Sequence, residues 1–265
     1  MVATTFAERL DECVERSGSL LCVGIDPAGA ASAAEAERLA TELVERTIAS
    51  ACAFKPNVAF FERFGSDGWA VLERLRKRVP EDRLYVVDAK RGDIGSTAEA
   101  YADALFDTLG ADAATVNPLF GADGVVPFAR RPGRGIFLIA RSSNPGAADL
   151  LDLELAAGVP LHHRIVELGL RWDPGGAVGF VAGATSPEAV AAVRRLAPAA
   201  PLLLPGVGAQ GGDLEATVRA AAAGGSRRFL VAISRGVAAA AEGPAAAAAA
   251  MRRRIAEALG QTAPA

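Results

Sequence analysis

The pattern that decides the fold is clearest in residues 84–99, which read Leu84-Tyr-Val-Val-Asp-Ala-Lys-Arg-Gly-Asp-Ile-Gly-Ser-Thr-Ala-Glu99. The stretch starts with a nearly unbroken apolar run, which is typical of a strand covered on both faces, as the strands of parallel sheets are. Gly92 then allows the chain to turn, and Ser96-Thr-Ala-Glu99 fits a capping box at the start of a helix. The stretch therefore predicts one strand followed by one helix.

The same alternation of a short apolar run and a helical pattern occurs eight times along the chain. We predict strands at Leu20–Asp26, Ala53–Asn57, Leu84–Lys90, Ala113–Asn117, Ile136–Arg141, Ala177–Ala182, Leu202–Pro205 and Phe229–Ser234. We predict helices at Phe6–Ser17, before the first strand, and at Ala34–Ser50, Phe60–Val79, Ser96–Leu109, Asp123–Arg130, Asp149–Leu168, Pro187–Leu196, Asp213–Ala223 and Val237–Ala258. Ser186, followed by Pro187, and Asp213, which follows two glycines, have the pattern of N-caps.

Eight strand–helix units in about 250 residues match the usual size of a (β/α)₈ barrel. No linker rich in Pro, Gly or Ser divides the chain. We therefore expect residues 1–265 to form a single α/β domain, a TIM barrel with an additional N-terminal helix. The pattern alone leaves open a doubly wound open sheet.

The composition narrows the classes of function. With 51% hydrophobic residues and a net charge of −3, the chain has ample material for a core and lacks the basic excess of a nucleic-acid surface. No apolar stretch approaches the roughly 18–20 residues that span a bilayer, and no secretory signal is visible. The cysteines Cys13, Cys22 and Cys52 have no metal-ligand spacing. We expect a cytoplasmic protein without nucleic-acid or membrane partners.

Lysine is scarce in this chain, and its positions are informative. Only three of the 28 basic residues are lysines, Lys55, Lys77 and Lys90, and the first and last of these fall at the ends of predicted strands. Asp88 and Lys90 lie two residues apart on a strand, so they face the same side with Cα atoms about 6.5–7 Å apart. At the carboxyl end of a barrel strand both would reach into the mouth that holds the active site. With Asp93 they form a carboxylate–ammonium–carboxylate cluster, for which a salt-bridge network that solvates the strand end is the open alternative.

The loops after the seventh and eighth strands have the composition of a phosphate site. Leu204-Pro-Gly-Val-Gly-Ala-Gln-Gly-Gly-Asp213 follows the seventh strand and opens a helix, and Ser234-Arg-Gly236 follows the eighth. Barrel enzymes commonly bind phosphate at these loops through backbone N–H groups and a basic side chain, here Arg235. Residues 206–211 also satisfy the G-x-G-x-x-G pattern of dinucleotide sites. A single strand remains after them, and no Asp or Glu lies about twenty residues on, so phosphate binding is favoured over a nicotinamide site.

In their order along the chain, these motifs resemble the orotidine 5′-monophosphate decarboxylase family, specifically its longer bacterial subfamily. The resemblance runs over nearly the whole chain. It is carried by Asp26, Lys55-Pro-Asn57, Asp88-Ala-Lys-Arg-Gly-Asp-Ile-Gly-Ser-Thr97, Ser142-Ser-Asn-Pro-Gly146, Pro205-Gly-Val-Gly-Ala-Gln210 and Ser234-Arg-Gly236. The D-x-K-x-x-D-I-x-x-T pattern of residues 88–97 is highly specific, and the other motifs are individually weaker.

The resemblance implies a homodimeric barrel with active sites at the dimer interface. Such an enzyme converts the small-molecule nucleotide orotidine 5′-monophosphate to uridine 5′-monophosphate and CO₂ in de novo pyrimidine synthesis, without metal or organic cofactor. Lys90 would protonate C6 of the pyrimidine, and Asp88 would lie beside the departing CO₂. Asp93, with Ile94 and Thr97, would enter the site of the neighbouring subunit.

The resemblance also implies which residues bind the substrate. They are Asp26 and Lys55 at the ribose hydroxyls, Ser143 at the pyrimidine edge, and Gln210 and Arg235 at the phosphate, with Pro205 lining the loop.

These residue types suit the chemistry. Loss of CO₂ from a carbon with no carbonyl electron sink leaves a localised carbanion, and a preorganised ammonium stabilises that transition state more than the ground state. Two alternatives stay open. A sugar-phosphate relative would use a similar Asp-x-Lys-x-x-Asp motif with Mg²⁺, and an inactive relative would bind the nucleotide without releasing CO₂.

Overall fold

The computed structural model of the chain describes residues 4–156, 158–208 and 210–260. Its strands are β1 Leu21–Ile25, β2 Ala53–Pro56, β3 Leu84–Arg91, β4 Ala113–Val116, β5 Gly135–Arg141, β6 Val178–Ala182, β7 Leu202–Pro205 and β8 Phe229–Ile233. They pair in chain order, all parallel, and β8 pairs with β1 to close a barrel. The closed barrel confirms the predicted fold class and excludes the open sheet.

Helices cover the outside of the barrel. They are α1 Phe6–Ser17, α2 Ala33–Thr47, α3 Ala59–Glu62, α4 Ser66–Arg76, α5 Gly95–Ala102, α6 Ala122–Ala129, α7 Leu161–Trp172, α8 Pro187–Leu196, α9 Leu214–Ala221, α10 Arg235–Ala238 and α11 Pro244–Ala258. A π-helical turn, Asp103–Thr108, continues α5. Short 3₁₀ turns lie at Pro118–Phe120, Pro145–Ala147 and Ala223–Gly225. None of the helices in the described ranges is long and apolar enough to cross a membrane.

Helix α1 covers the end of the barrel at which the strands begin, and it confirms the predicted additional helix. The ring of Phe6 packs edge-on against Phe137, with centroids 5.7 Å apart. A Cβ at Gly135 would lie only 2.1 Å from the Phe6 ring, so glycine at the start of β5 makes room for α1. Arg9 adds an ion pair at 2.6 Å to the buried Asp112, which precedes β4. Because α1 occupies this end, the opposite end is the one available for a site.

Two predicted helices are each divided in the structure. The segment Phe60–Val79 is broken at Gly65, whose φ of +61° favours glycine, and it forms α3 and α4. The segment Val237–Ala258 is broken at Gly243, with φ +85°, and Pro244 starts α11. In both cases the apolar periodicity continues across a backbone break, so periodicity alone predicted one helix.

The prediction of a helix over Asp149–Leu168 is wrong in its first half. Helix α7 begins only at Leu161, after Pro160, and an irregular segment precedes it. The Asp152 carboxylate accepts two hydrogen bonds from the Arg141 guanidinium at the end of β5, at 3.1 and 2.8 Å. This contact ties the segment to the barrel in a non-helical conformation.

One of the predicted helix caps is wrong and two are confirmed. Ser96 lies inside α5, which begins one residue earlier and has no side-chain cap among the described residues. Glu99 pairs instead with Arg130, the residue that follows α6. Ser186 accepts a hydrogen bond from the third backbone N–H beyond it, at 3.4 Å, and so does Asp213, at 2.9 Å.

Candidate active site

A cavity of about 310 Å³ opens at the carboxyl ends of the strands. Eight of the eleven predicted site residues line it, although they come from six different strand ends. These are Asp26, Lys55, Asp88, Lys90, Ser143, Pro205, Gln210 and Arg235. Parallel strands bring their carboxyl ends to one rim, which is why residues far apart in sequence meet there.

The Asp88 carboxylate lies between two lysine ammonium groups. Its Oδ2 accepts a hydrogen bond from Lys55 Nζ at 3.0 Å, and its Oδ1 accepts one from Lys90 Nζ at 2.6 Å. Lys55 and Asp88 are only 5% and 9% exposed, whereas the Lys90 side chain is 54% exposed. Lys90 is therefore the ammonium that faces the open cavity, and Lys55 anchors the carboxylate from β2.

In the Lys55–Asp88–Lys90 triad, burial and the neighbouring charges determine the protonation states of Asp88 and Lys55. Burial opposes ionisation of Asp88, but the ammonium groups of Lys55 and Lys90 outweigh burial and hold the pKa of the carboxyl well below its usual range. Burial likewise opposes the charge on Lys55, yet Asp88 and then Asp26 outweigh it and raise the pKa of that ammonium. At neutral pH, Asp88 and Lys55 are both charged.

The carboxyl end of β8, three strands around the barrel from β3, carries a cation that is available to a ligand. The Arg235 guanidinium lines the cavity at the start of α10 and has no hydrogen-bond or ion-pair partner among the residues that the structure describes. Nearby, a Cβ at Gly206 would lie 2.6 Å from Ser143 Cβ and 2.9 Å from Gln210 Oε1. Glycine at this position, with φ +102°, lets the β7 loop close against the β5 loop.

Asp26 lies between these two regions of the cavity. It follows β1, and its Oδ1 atom is buried without a hydrogen-bond partner within the described ranges. A buried carboxylate oxygen without a donor is costly unless a ligand supplies one. Asp26 therefore has the free acceptor that a hydroxyl group of a ligand would use.

Three predicted site residues lie outside this cavity. Asp93 turns its Oδ1 back to the N–H of Ile94, at 2.7 Å, and Thr97 is exposed on α5. Ile94 is 55% exposed, and Leu119 and Phe120 are exposed large apolar side chains in the turn that follows β4. In the single chain, these residues do not meet the Lys55–Asp88–Lys90 triad.

Several residues that line the cavity were not predicted from the sequence. Thr115, on β4, contacts both Asp88 and the backbone of Lys90. Ile139, Val181 and Leu203, from three consecutive strands, form an apolar part of the wall. Inward-facing alternation on β5–β7 could have indicated the apolar residues, whereas one threonine in an apolar strand carries no such signal.

The arrangement is that of a (β/α)₈-barrel enzyme with a charged cleft at the carboxyl ends of its strands. Within residues 4–156, 158–208 and 210–260, no group of three or more His, Cys, Asp or Glu side chains could hold a metal ion. The G-x-G-x-x-G pattern of residues 206–211 follows β7 of this closed barrel, and it does not open a dinucleotide-binding unit.

Comparisons with known proteins agree with this class. The model of the orotidine 5′-phosphate decarboxylase / HUMPS family matches residues 19–251. The orotidine 5′-phosphate decarboxylase of Roseiflexus castenholzii is 51% identical over 238 residues, which are 87% of each chain. The structure of Leishmania donovani OMP decarboxylase superposes with a TM-score of 0.89 at 42% identity, covering 96% of this chain and 99% of that one.

This chain also matches part of a longer protein of known structure. Leishmania donovani UMP synthase gives a TM-score of 0.88 at 43% identity over 95% of this chain, which spans 56% of that protein. The chain belongs to the orotidine 5′-phosphate decarboxylase / HUMPS family. The family resemblance and the enzyme class expected from the sequence are thereby confirmed.

Proposed function

We propose that this chain catalyses the decarboxylation of orotidine 5′-monophosphate to uridine 5′-monophosphate and CO₂, in the cytoplasm and as a step of pyrimidine biosynthesis. The observation that carries the proposal is the position of Asp88 between Lys55 and Lys90, in a cavity that is also lined by the Arg235 cation, for which the described residues provide no partner. The names of the relatives support the substrate. We propose further that the reaction uses neither a metal nor an organic cofactor.

The substrate would be held along its length by the charged and polar groups of the cavity. Arg235 and Gln210 would bind the phosphate, because a guanidinium can form two parallel hydrogen bonds to phosphate oxygens. Asp26, with its free acceptor, and Lys55 would bind the ribose hydroxyls. Ser143 would contact the edge of the base, with Pro205 lining the loop.

The apolar wall supports a nucleotide over an open-chain sugar phosphate. Ile139, Val181 and Leu203 present apolar side chains beside the charged triad. A flat pyrimidine ring gains from covering such a surface, and a sugar phosphate has no apolar group to place there. The same wall gives the neutral CO₂ product a favourable environment.

The chemical step is a heterolysis at C6 of the base. The electron pair of the bond between C6 and the carboxylate stays on C6, CO₂ leaves as a neutral molecule, and a proton from Lys90 Nζ forms the new C6–H bond. Lys90 is suited to this role, because an ammonium is a point charge that can give up a proton and a guanidinium cannot. Its hydrogen bond to Asp88 holds Nζ in place before the carbanion forms.

The stabilisation of the carbanion by the Lys90 ammonium has an approximate magnitude. An ammonium about 4 Å from a developing unit charge, at an effective dielectric of about 20, contributes roughly 4 kcal/mol. That is about a thousandfold in rate. Repulsion between Asp88 and the substrate carboxylate, which ends when CO₂ becomes neutral, would add to this effect.

We further propose that two copies of the chain share their sites. Ile94, Leu119 and Phe120 are exposed large apolar side chains. A Cβ at Gly92 would lie 3.1 Å from the Phe120 ring, so this ring lies beside the segment that carries Asp93. An exposed patch of large apolar side chains is typical of an interaction surface. A second copy packed there would receive Asp93, Ile94 and Thr97 into its own cavity, next to its Lys90.

The test is a spectroscopic assay of purified protein, which follows the loss of orotidylate absorbance with a chelator present. We expect turnover that the chelator leaves unchanged and a product that co-elutes with uridine 5′-monophosphate. Absence of turnover with intact nucleotide binding would identify an inactive binding protein instead. Turnover of a sugar phosphate that the chelator abolishes would identify the Mg²⁺-dependent branch of the family.

A further inference from the structure

Lys90 has an unusual backbone conformation. Its φ is +48°, and among the residues that the structure describes it is the only non-glycine residue with positive φ. The pairing of β3 with β4 shifts register between Val87 and Arg91, around this residue. Lysine seldom adopts left-handed backbone angles, so surrounding contacts must hold Lys90 in this conformation.

The hydroxyl of Thr115 supplies such a contact. Thr115 Oγ1, on β4, accepts a hydrogen bond from the backbone N–H of Lys90 at 2.9 Å. The same hydroxyl donates to Asp88 Oδ1 at 2.8 Å, and Lys90 Nζ donates to that same Oδ1 at 2.6 Å. A hydroxyl can donate one bond while it accepts another. The three bonds form a ring that joins both ends of Lys90 through Thr115 and Asp88.

We propose that Thr115 is a positioning residue for catalysis. Its buried hydroxyl holds both the left-handed backbone of Lys90 and the Asp88 carboxylate in place, so that Lys90 Nζ lies beside the reacting carbon. This inference rests on the proposed function and adds a residue to it.

Removal of the Thr115 hydroxyl would leave its two hydrogen-bond partners without a replacement. Thr115 is 1% exposed, so bulk water cannot replace its oxygen. Without that oxygen, the N–H of Lys90 and one lone pair of Asp88 lose their partners. The backbone of Lys90 would then relax toward ordinary angles, and Nζ would leave its place beside the substrate. Groups that bind phosphate and ribose lie on other strands and would keep their positions.

The experiment compares Thr115→Val, which keeps the shape and removes the hydroxyl, with Thr115→Ser, which keeps the hydroxyl. We expect Thr115→Val to lower kcat by about 10- to 100-fold. KM for orotidylate and the Kd for uridine 5′-monophosphate should change by less than about threefold. Thr115→Ser should retain most of the wild-type kcat, although it loses a buried methyl group.

The matched control is Thr47→Val. Thr47 is also 1% exposed, and its hydroxyl donates to the Leu43 carbonyl within α2, away from the cavity. Thr47→Val should leave kcat unchanged. Urea unfolding of each variant separates loss of stability from loss of rate.

Several outcomes would overturn the proposal. They are wild-type kcat in Thr115→Val, equal losses of kcat in Thr115→Val and Thr115→Ser, or a defect confined to KM. If Thr115→Val does not fold, Thr115→Ala takes its place, because it also differs from Thr115→Ser by the hydroxyl. The expected loss of kcat in Thr115→Ala relative to Thr115→Ser is the same. Absence of turnover in the wild-type protein would refute the proposed function itself, which the wild-type assay reveals before any variant is tested.

Discussion

Replacing Asp88 by asparagine removes one negative charge from the site and preserves its shape. The two carboxylate oxygens accept hydrogen bonds from Lys55, Lys90 and Thr115. An amide has one oxygen and one NH₂ group, so at least one of these donors would face another donor. Asp88→Asn therefore leaves two ammonium groups close together, with at most part of their hydrogen bonding retained.

The magnitude follows from the geometry. Lys55 Nζ lies 3.0 Å and Lys90 Nζ lies 2.6 Å from the carboxylate. At an effective dielectric of about 20, each attraction is worth roughly 6 kcal/mol, and the cost of burying the charges cancels much of it. Removing one member of a buried ion pair typically costs about 3–5 kcal/mol, because the partner stays buried and unpaired. We expect Asp88→Asn to lower the free energy of unfolding by this amount.

The assay is urea unfolding at pH 7, with Asp11→Asn as the control. Asp11 pairs with Arg228 at 2.7 Å, but both side chains are partly exposed, so its loss should cost less than about 1 kcal/mol. A loss in Asp88→Asn no larger than that in Asp11→Asn would refute the view that the buried Asp88 carboxylate stabilises the fold through its pairing with the buried Lys55 and the more exposed Lys90.

The pH dependence gives a second readout of the same variant. The pKa of Asp88 is lower in the folded than in the unfolded protein, so its stabilising effect is present above the unfolded pKa, about 4, and is lost as the pH falls further. The difference in unfolding free energy between wild type and Asp88→Asn should be constant near neutral pH. It should narrow below about pH 4. A difference that stays constant through this acid range would contradict the assignment.

Two further predictions concern substrate binding and assembly. Arg235→Ala should weaken binding of uridine 5′-monophosphate by about 10- to 100-fold in isothermal titration calorimetry. Binding of uridine should stay unchanged, because only the phosphate loses a charged donor. An equal loss for both ligands would refute the assignment of Arg235 to the phosphate. Mixing Lys90→Ala with Asp93→Ala should restore about a quarter of wild-type activity, since half of the dimers are mixed and each mixed dimer has one intact site. Mixing Lys90→Ala with Asp88→Ala should restore none, because both residues act in the same cavity. Failure of the first mixture, with subunit exchange verified by native mass spectrometry, would place each site within one chain.

The strands were more predictable than the helices. Most strand residues are buried, so a run such as Leu202–Pro205 is apolar throughout. Helix breaks depend on single residues, and Gly65 and Gly243 interrupt helices whose periodicity continues beyond them. The irregular segment before α7 contacts the barrel through the ion pair between Asp152 and Arg141, a contact that the local sequence does not encode.

The site was predictable where its residues share a local pattern. The spacing of two between Asp88 and Lys90 placed both on one face of β3, and their contact at 2.6 Å agrees with that prediction. The left-handed backbone of Lys90 could not be predicted, because lysine does not favour it and Thr115, which holds it, lies 25 residues away. The place of Asp93 in a partner's site depends on a second chain, and it stays a prediction.

The central claim is that the Lys90 ammonium stabilises and protonates the carbanion at C6, and Lys90→Ala tests it most directly. The measurement is the rate of orotidylate decarboxylation at saturating substrate, with the Kd for uridine 5′-monophosphate determined on the same preparation. We expect the rate to fall by at least about a thousandfold, which corresponds to the roughly 4 kcal/mol of one lost charge interaction, while the nucleotide still binds. Decarboxylation by Lys90→Ala at the wild-type rate would contradict the account.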